Sequence, residues 1–500
     1  MSKFSVANLK KTIYYLRRNG IRDTILAARE RLASAEQYSP EVLSEEQKEF
    51  LRQEVKAWME KPDEATGNLP VFSILVPAYR TDPVFLRELI RSVREQVYPF
   101  WELLILDASD NRQVEETVKE MEKEAESSQG GEVHYIRLEK NGGISENTNA
   151  GITKAKGDYI ALLDHDDVLT PDALYEMARV IRQRKDTGSE PPAFVYSDED
   201  KWDGRDRYYE LHRKEDFNLD LLLSNNYICH FLVMRRGLFE KLKLRKEFDG
   251  AQDYDLVLRA AGELIETGKK PERDILHVAK VLYHWRCHSG STAENPESKR
   301  YAYEAGRRAL QDFADARGWK MKAKALKHVG FYRLEVSDEI APEQRLASLF
   351  EMRPDLGAVG GAIYGKALKG DIGKKRLTGG RMAQDGSVYY EGLKEGFSGY
   401  MHRAVLTQDA EAADLRCLAV SPAYRELFRE ITGLAYEPEE NSVFFDVKKL
   451  PEGADIKKLS LDFGRALREN GVGILWDPDY VRYGNQAVKS GCTDHRNKEG

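Results

Sequence analysis

The run Tyr159-Ile160-Ala161-Leu162-Leu163 passes straight into Asp164-His165-Asp166-Asp167. An unbroken apolar stretch of this length reads as a strand covered on both faces, as in a parallel sheet. The carboxyl ends of such strands are where open α/β sheets bind ligands. Carboxylates crowded there repel one another unless a hard cation lies among them, and Mg²⁺ and Mn²⁺ prefer carboxylate oxygen. An ion held by one or two carboxylates shares its remaining positions with phosphate and water, so a metal–diphosphate site is one reading. The other is an acidic strand-to-helix turn, with Asp167 or Thr170 capping the helix that begins near Pro171.

The surrounding sequence alternates. Phe72 to Val76, Leu103 to Leu106, Val133 to Leu138, Tyr159 to Leu163 and Ala193 to Tyr196 read as strands. Between them, Phe85, Leu89, Val93 and Val97 recur every fourth residue, and Val114–Glu126, Ile144–Ala155 and Ala173–Gln183 read as helices. Strand–helix alternation of this kind predicts an α/β domain with a parallel, doubly wound sheet.

Length allows roughly two to four domains. A net charge of −7 over 500 residues provides no basic field to recruit nucleic acid. No apolar run reaches membrane-spanning length, and the N-terminus has no signal-peptide apolar core. Cys229, Cys287, Cys417 and Cys492 are too scattered for a zinc site or a disulfide framework, which fits a reducing cytoplasm. Residues 1–66 read as helical and polar, with an apolar stripe of Leu9, Ile13, Leu16 and Ile21. Lys3, Lys10, Lys11, Arg17, Arg18 and Arg22 make this start basic. Such a helix either lies on an anionic membrane surface or docks on the protein body with its charged face solvated. A linker follows from Pro62 to Pro70.

The C-terminal part carries a weak echo. Asp253 to Gly262 lines up without gaps against Asp462 to Gly471, and Cys229-His230-Phe231-Leu232-Val233 against Cys417-Leu418-Ala419-Val420. Residues 328–485 therefore read as a partial repeat without the acidic turn, or as a chance likeness of amphipathic elements.

Four further segments stand beside the acidic turn. Val76-Pro77-Ala78-Tyr79-Arg80 ends the first strand without the G-x-G-x-x-G of a dinucleotide site, and no P-loop occurs. In Leu106-Asp107-Ala108-Ser109-Asp110-Asn111, Asp107 can accept from a base or ribose, or simply form a turn. In Lys140 to Gly151, glycine permits close backbone approach, and Asn141 and Asn147 offer donors and acceptors; a loop capped by Ser145 is the alternative. Asp253, in Gly250-Ala251-Gln252-Asp253-Tyr254-Asp255, falls at or near a helix N-cap. Further on, His284-Trp285-Arg286-Cys287-His288-Ser289-Gly290-Ser291-Thr292 mixes metal-ligating, cationic and aromatic groups.

In this order and spacing VPAYR, LDASD, NGGISENTNAG, GDYIALLDHDD, SDED, GAQDYDLVLR and HWRCHSGSTA resemble family 2 glycosyltransferases of the GT-A fold, over about residues 70–315. The resemblance implies a Rossmann-like GT-A catalytic domain at 70–315, an N-terminal helical region at 1–66 and a degenerate half GT-A-like domain at 328–485. It implies a nucleoside pocket of Pro77, Ala78, Tyr79 and Asp107, with Asn141, Gly143, Asn147 and Asp164 on the donor nucleotide. Asp164 and Asp166 would form the family's DxD pair. Asp166, Asp167 and His288 would hold Mn²⁺ or Mg²⁺, and Asp253 would be the catalytic base. Asp198, Gln252, His284, Trp285 and Arg286 would serve acceptor or phosphate. Gln252 departs from the Glu that many relatives carry. In the repeat, Asp255 is replaced by Gly464, so that copy reads as catalytically dead.

The activity implied is transfer from a UDP- or dTDP-sugar to a glycan or lipid-linked acceptor in bacterial surface-polysaccharide synthesis, at the inner face of the membrane. One base and one metal imply single displacement with inversion. A sugar nucleotidylyltransferase would share the topology but needs a glycine- and arginine-rich loop that VPAYRTD lacks. A non-catalytic carbohydrate-binding or scaffold protein would not need both DHDD and QDYD.

Overall fold

The structure is a computed structural model describing residues 6–33, 38–60, 69–124, 130–186, 188–288, 300–365, 375–440, 442–484 and 486–490. Lys3, residues 62–68 of the expected linker, Ser289 to Thr292 and Cys492 lie outside them, as do the side chains of Leu9, Lys10 and Lys11. The chain divides into two compact units. One comprises Met1–Lys11, Glu36–Phe217 and Asn226–Ala309; the other comprises Thr12–Ala35, Asn218–Asn225 and Leu310–Gly500. The helical start, expected as a region of its own, is thus shared between the two. Helix Glu45–Glu60 joins the first unit, where Trp58 stacks on Tyr175 with ring centroids 5.1 Å apart.

In the first unit the strands are β1 (Phe72–Ala78), β2 (Trp101–Asp107), β3 (Glu132–Arg137), β4 (Tyr159–Leu162), β5 (Val168–Leu169), β6 (Phe194–Trp202), β7 (Tyr208–His212), β8 (Leu232–Arg235) and β9 (Ile275–Arg286). They form one sheet in the order β3-β2-β1-β4-β8-β6-β9-β5, with β7 on β6. β3, β2, β1 and β4 pair in parallel, as the strand–helix alternation predicts; β8 lies antiparallel between β4 and β6, and β6 pairs in parallel with β9. Leu75 sits between Leu104 and Leu162 in register. Such buried side chains each stabilise the fold by about 1.5–3 kcal/mol.

Helix Pro83–Arg94 covers the sheet with Leu86, Leu89, Ile90 and Val93. Its start is fixed by Pro83 in the first turn and by Asp82, whose side chain accepts from the Val84 N–H. Helix Ile144–Ile152 lies so close that a Cβ on Gly151 would strike the Leu106 and Leu75 side chains. The parallel strands carry Ala78, Asp107 and Asp164 to one edge. β6 runs past the expected Tyr196 to Trp202, which places Asp198, Glu199 and Asp200 inside a strand.

The second unit bears the echo. Leu356–Gly365 pairs in parallel with Gly473–Tyr483 and antiparallel with Leu418–Val420 and Arg376–Gly379. β6 pairs in the same senses with β9, β8 and β7. Helix Ile456–Glu469 leads into Gly473–Tyr483 as helix Gln252–Glu266 leads towards β9. This is a partial repeat of the latter half of the first unit, closed around Trp476, Phe428, Phe445 and Phe463. Among the described residues it has no counterpart of the parallel β1–β4 set. Asp462, the counterpart of Asp253, is bound to Lys458 one helical turn earlier.

Candidate active site

The turns after β1 and β2 are joined. Ala108 N–H donates to the Ala78 carbonyl and Arg80 N–H to Ser109 Oγ, at 2.9 and 2.8 Å. Arg80 grips Asp110 with its guanidinium. Pro77 lines a cavity and Tyr79 is exposed beside it in sequence. Asp107 is fully buried. Its Oδ1 accepts from Ser109 N–H at 2.8 Å, and its Oδ2 from Tyr135 Oη and Arg137 at 2.8 and 2.9 Å. Asp107 therefore holds the turn together, with acceptor capacity left on Oδ1.

The acidic turn separates its three carboxylates. Asp164 faces the cavity. Burial pushes it above the usual carboxylate range, with the Asp166 charge, against the pull of His230. Asp166 Oδ2 meets His288 Nε2 at 2.8 Å. Asp167 turns inward: Oδ1 accepts from Arg286 N–H at 2.7 Å and Oδ2 from Tyr283 Oη. Asp167 was expected as a metal ligand; with both oxygens bonded inside the fold, it fastens the turn to β9 instead.

Asp253, on the first turn of helix Gln252–Glu266, lines the same cavity as Asp164, with Gln252, His230 and Tyr283. It accepts from Asn226 Nδ2 at 2.8 Å. Burial raises its carboxyl and the His230 charge opposes that rise. His230 is held above its ordinary range, at about 9, because Glu199 beside it outweighs burial. Neither Asn226, Glu199 nor His230 stood out in the sequence.

Other expected site residues point elsewhere. Asp198 accepts from Lys214 N–H and pairs with His277, both at 2.8 Å; His284 pairs with Asp200 at 2.7 Å. Arg286 donates from Nε to the Asp166 carbonyl at 2.6 Å, pairs with Glu88 at 2.6 Å and lies over Phe85 and Trp202. Its charge is spent inside the fold, so it is not a free phosphate ligand. Trp285 packs against His230, 4.5 Å between centroids. Asn141 Oδ1 accepts from Gly143 N–H and Asn147 Nδ2, and Asn147 Oδ1 from Gly142 N–H. These amides brace the loop. Gly143 has φ 95°, a conformation that favours glycine. The helix it precedes is met by Asp249, which accepts from Ser145 N–H at 3.3 Å, and the Ser145 side chain is no cap.

Among the described residues no group of three or more His, Cys, Asp and Glu side chains is placed to hold a metal ion by itself. Asp166 with His288, and Asp164 nearby, fit an ion completed by a ligand's phosphate oxygens and water.

The sequence model of the family described as "Glycosyl transferase family 2" matches residues 73–243. The uncharacterized glycosyltransferase YwdF of Bacillus subtilis is 30% identical over 195 residues, covering 38% of this chain and 67% of that protein. This chain belongs to glycosyl transferase family 2. The family match takes in Asp107, Asp164, Asp166 and His230 and stops before Asp253 and His288. The uncharacterized protein y4gI of Sinorhizobium fredii is 40% identical over 247 residues, 49% of this chain and 25% of that protein. The O-antigen biosynthesis protein RfbC of Myxococcus xanthus is 31% identical over 289 residues, 57% of this chain and 21% of that protein. The chain thus spans a quarter or less of these two relatives. Among solved structures, the mannosyltransferase PcManGT of Pyrobaculum calidifontis with GDP-Man and Mn²⁺ overlaps 59% of this chain and 85% of its own, at 16% identity and a TM-score of 0.34.

Proposed function

We propose that the first unit is an inverting, metal-dependent glycosyltransferase that moves a sugar from a nucleoside-diphosphate sugar, of the UDP or dTDP class, to a glycan or lipid-linked acceptor of a cell-surface polysaccharide. The observation that carries this reading is that Asp253 and Asp164, far apart in sequence, line one cavity at the carboxyl edge of the sheet. The nucleoside lies over Pro77, Ala78 and Tyr79, with Asp107 at the base. Asp164 and Asp166 face the diphosphate. Mn²⁺ or Mg²⁺, held through Asp166 and His288, would neutralise the leaving charge. Asp253 takes the proton of the acceptor hydroxyl; that oxygen bonds the anomeric carbon as the bond to the diphosphate oxygen breaks, with inversion. No second carboxylate is assigned as nucleophile, as retention would require.

The test is release of nucleoside diphosphate from a panel of UDP-, dTDP- and GDP-sugars with Mn²⁺. Release from at least one supports the reading. Pyrophosphate release from a nucleoside triphosphate would favour a nucleotidylyltransferase, and absence of both activities a binding or scaffold protein.

A lipid-linked acceptor would place the protein at the inner face of a membrane. No helix among the described residues is long and apolar enough to cross one. Helix Val6–Ala33, kinked at Gly20, instead suits surface contact. Within the second unit Arg18 and Asn19 donate to the Leu326 and Lys327 carbonyls, and Glu30 accepts from Gly399 N–H. Ile13, Leu16, Ile21 and Ile25 stay exposed among exposed Arg17, Arg22 and Arg29. Each arginine near an anionic bilayer adds about 1 kcal/mol. Flotation with anionic but not neutral vesicles, lost on Arg17/Arg22/Arg29 neutralisation, supports this contact; binding indifferent to lipid charge overturns it.

A further inference from the structure

The cavity that holds Asp253 and Asp164 contains one cationic side chain, His230, which lines it with them. Its ring is fixed on several sides. Nδ1 meets Glu199 Oε2 at 3.1 Å and the His230 N–H donates to the same oxygen at 2.6 Å. Tyr283 lies nearly parallel to the ring, 5.5 Å away, and Trp285 is 4.5 Å away. Glu199 is itself held by Lys214, whose Nζ donates to it at 3.1 Å and to the Ile228 carbonyl at 2.9 Å. Lys214 and His212 share Glu199 with His230, at 3.1 and 3.6 Å, so the carboxylate stays ionised and holds the imidazolium in place at the cavity wall.

A carboxylate withdrawn from water drifts towards its neutral acid, and a neutral Asp253 cannot take a proton. The groups that face Asp253 are the Asn226 amide, the half-buried Cys229 thiol, Asp164 and His230. Asp164 works against its ionisation; the His230 charge favours it, together with the Asn226 amide and the backbone N–H groups of Asp253 and Tyr254. On its own helix, Asp255 is closed off by Arg245 and Arg259.

We propose that His230 is a positioning residue for sugar transfer: fixed by the Lys214–Glu199 pair, its imidazolium keeps Asp253 a carboxylate in a cavity that would otherwise neutralise it. This rests on the assignment of Asp253 as the base. Asp253 works as a base only when ionised, so turnover rises with pH through its titration. Removing the positive charge makes ionisation harder and moves that rise to higher pH.

The experiment compares wild type, H230Q, H230A and D253N, using the sugar nucleotide that the wild type turns over with Mn²⁺ and its nucleoside diphosphate as the binding probe. Glutamine keeps a donor of similar reach without the charge. H230Q is expected to bind the diphosphate within about threefold of wild type. Its kcat should fall by up to about tenfold at the acid end of the profile, with the acidic limb moved up by about one pH unit and the deficit closing on the plateau above it. An unmoved limb, a deficit equal at every pH, or loss of diphosphate binding overturns the proposal. H230A separates charge from packing: a lowered melting temperature with an unshifted limb also overturns it. An active D253N variant overturns the base assignment itself, whereas an inactive D253N beside an unshifted H230Q overturns only the role of His230.

Discussion

Asp166 and His288, 122 positions apart, meet through a 2.8 Å contact between Oδ2 and Nε2. Two residues before His288, Arg286 donates to the Asp166 carbonyl and to the Asp167 carboxylate. The end of β9 therefore holds the acidic turn from both sides of one peptide, and this is what gives the Asp166 carboxylate a fixed direction.

That geometry sets the first expectation. Asp166→Asn should abolish Mn²⁺-dependent turnover, and His288→Ala should weaken Mn²⁺ affinity by about 10–100-fold if it orients or shares the ion. Calorimetry of Mn²⁺ with a nucleoside diphosphate reads the affinity without turnover. Full activity after EDTA treatment would remove the metal from the mechanism.

Asp253→Asn should cost about 10²–10⁴-fold in kcat, the usual contribution of a general base, with diphosphate binding retained. Asn226→Ala, which removes the 2.8 Å amide contact, should cost less, because it loosens the carboxylate without deleting it. A D253N variant that no longer binds the nucleotide would make Asp253 a donor ligand.

Much of this was legible in the residues. Ile74-Leu75-Val76 of β1, Leu103-Leu104-Ile105 of β2 and Tyr159–Leu162 of β4 are apolar runs, and only a covered sheet hides both faces of such runs. The four turns that meet at the carboxyl edge follow from parallel pairing. What was not legible is direction. Asp164, Asp166 and Asp167 are equally acidic in sequence, but Asp167 alone has Tyr283 and the Arg286 amide within reach. Asn141 and Asn147 look like donor contacts until each is seen to brace the other's loop. In Ser197-Asp198-Glu199-Asp200 neighbouring side chains leave a strand on opposite faces, so Asp198 and Glu199 meet different partners, and only Glu199 reaches His230.

The inward turn of Asp167 is testable through its partner. Tyr283→Phe leaves Asp167 Oδ2 buried without its donor, which should cost about 1–3 kcal/mol of stability. Thermal melting should show the loss, while Mn²⁺ affinity stays near wild type. A large drop in Mn²⁺ affinity with unchanged melting would return Asp167 to the metal.

The repeat supplies a control. Asp462 is tied to Lys458 on a helix surface, and its side chain keeps 29% exposure. Asp462→Asn should leave turnover near wild type, because the carboxylates that follow the apolar run Ile474-Leu475-Trp476, Asp477 and Asp479, are both paired with Arg333. A loss comparable to that of Asp253→Asn would reveal a second working site.

The second unit should also lose stability in mild acid through His402. Its Nδ1 meets Ser398 Oγ at 2.8 Å, and its ring stacks on His328 with centroids 3.6 Å apart. Burial, with the Lys327 charge, lowers its folded-state value to about 4, against about 6.5 when unfolded. The sign follows from proton counts. Below about pH 6.5 the unfolded chain takes up a proton that the folded ring refuses, so stability falls as pH drops and levels off near pH 4. The gap bounds the loss at about 3 kcal/mol. His402 sits at φ 60°, a conformation that asparagine tolerates better than most residues. His402→Asn can keep a donor or acceptor for Ser398 without titrating. Melting of the second unit from pH 7.5 to 4.5 should therefore steepen in wild type and flatten in the variant. Equal pH slopes in the two would mean that other groups carry the acid sensitivity.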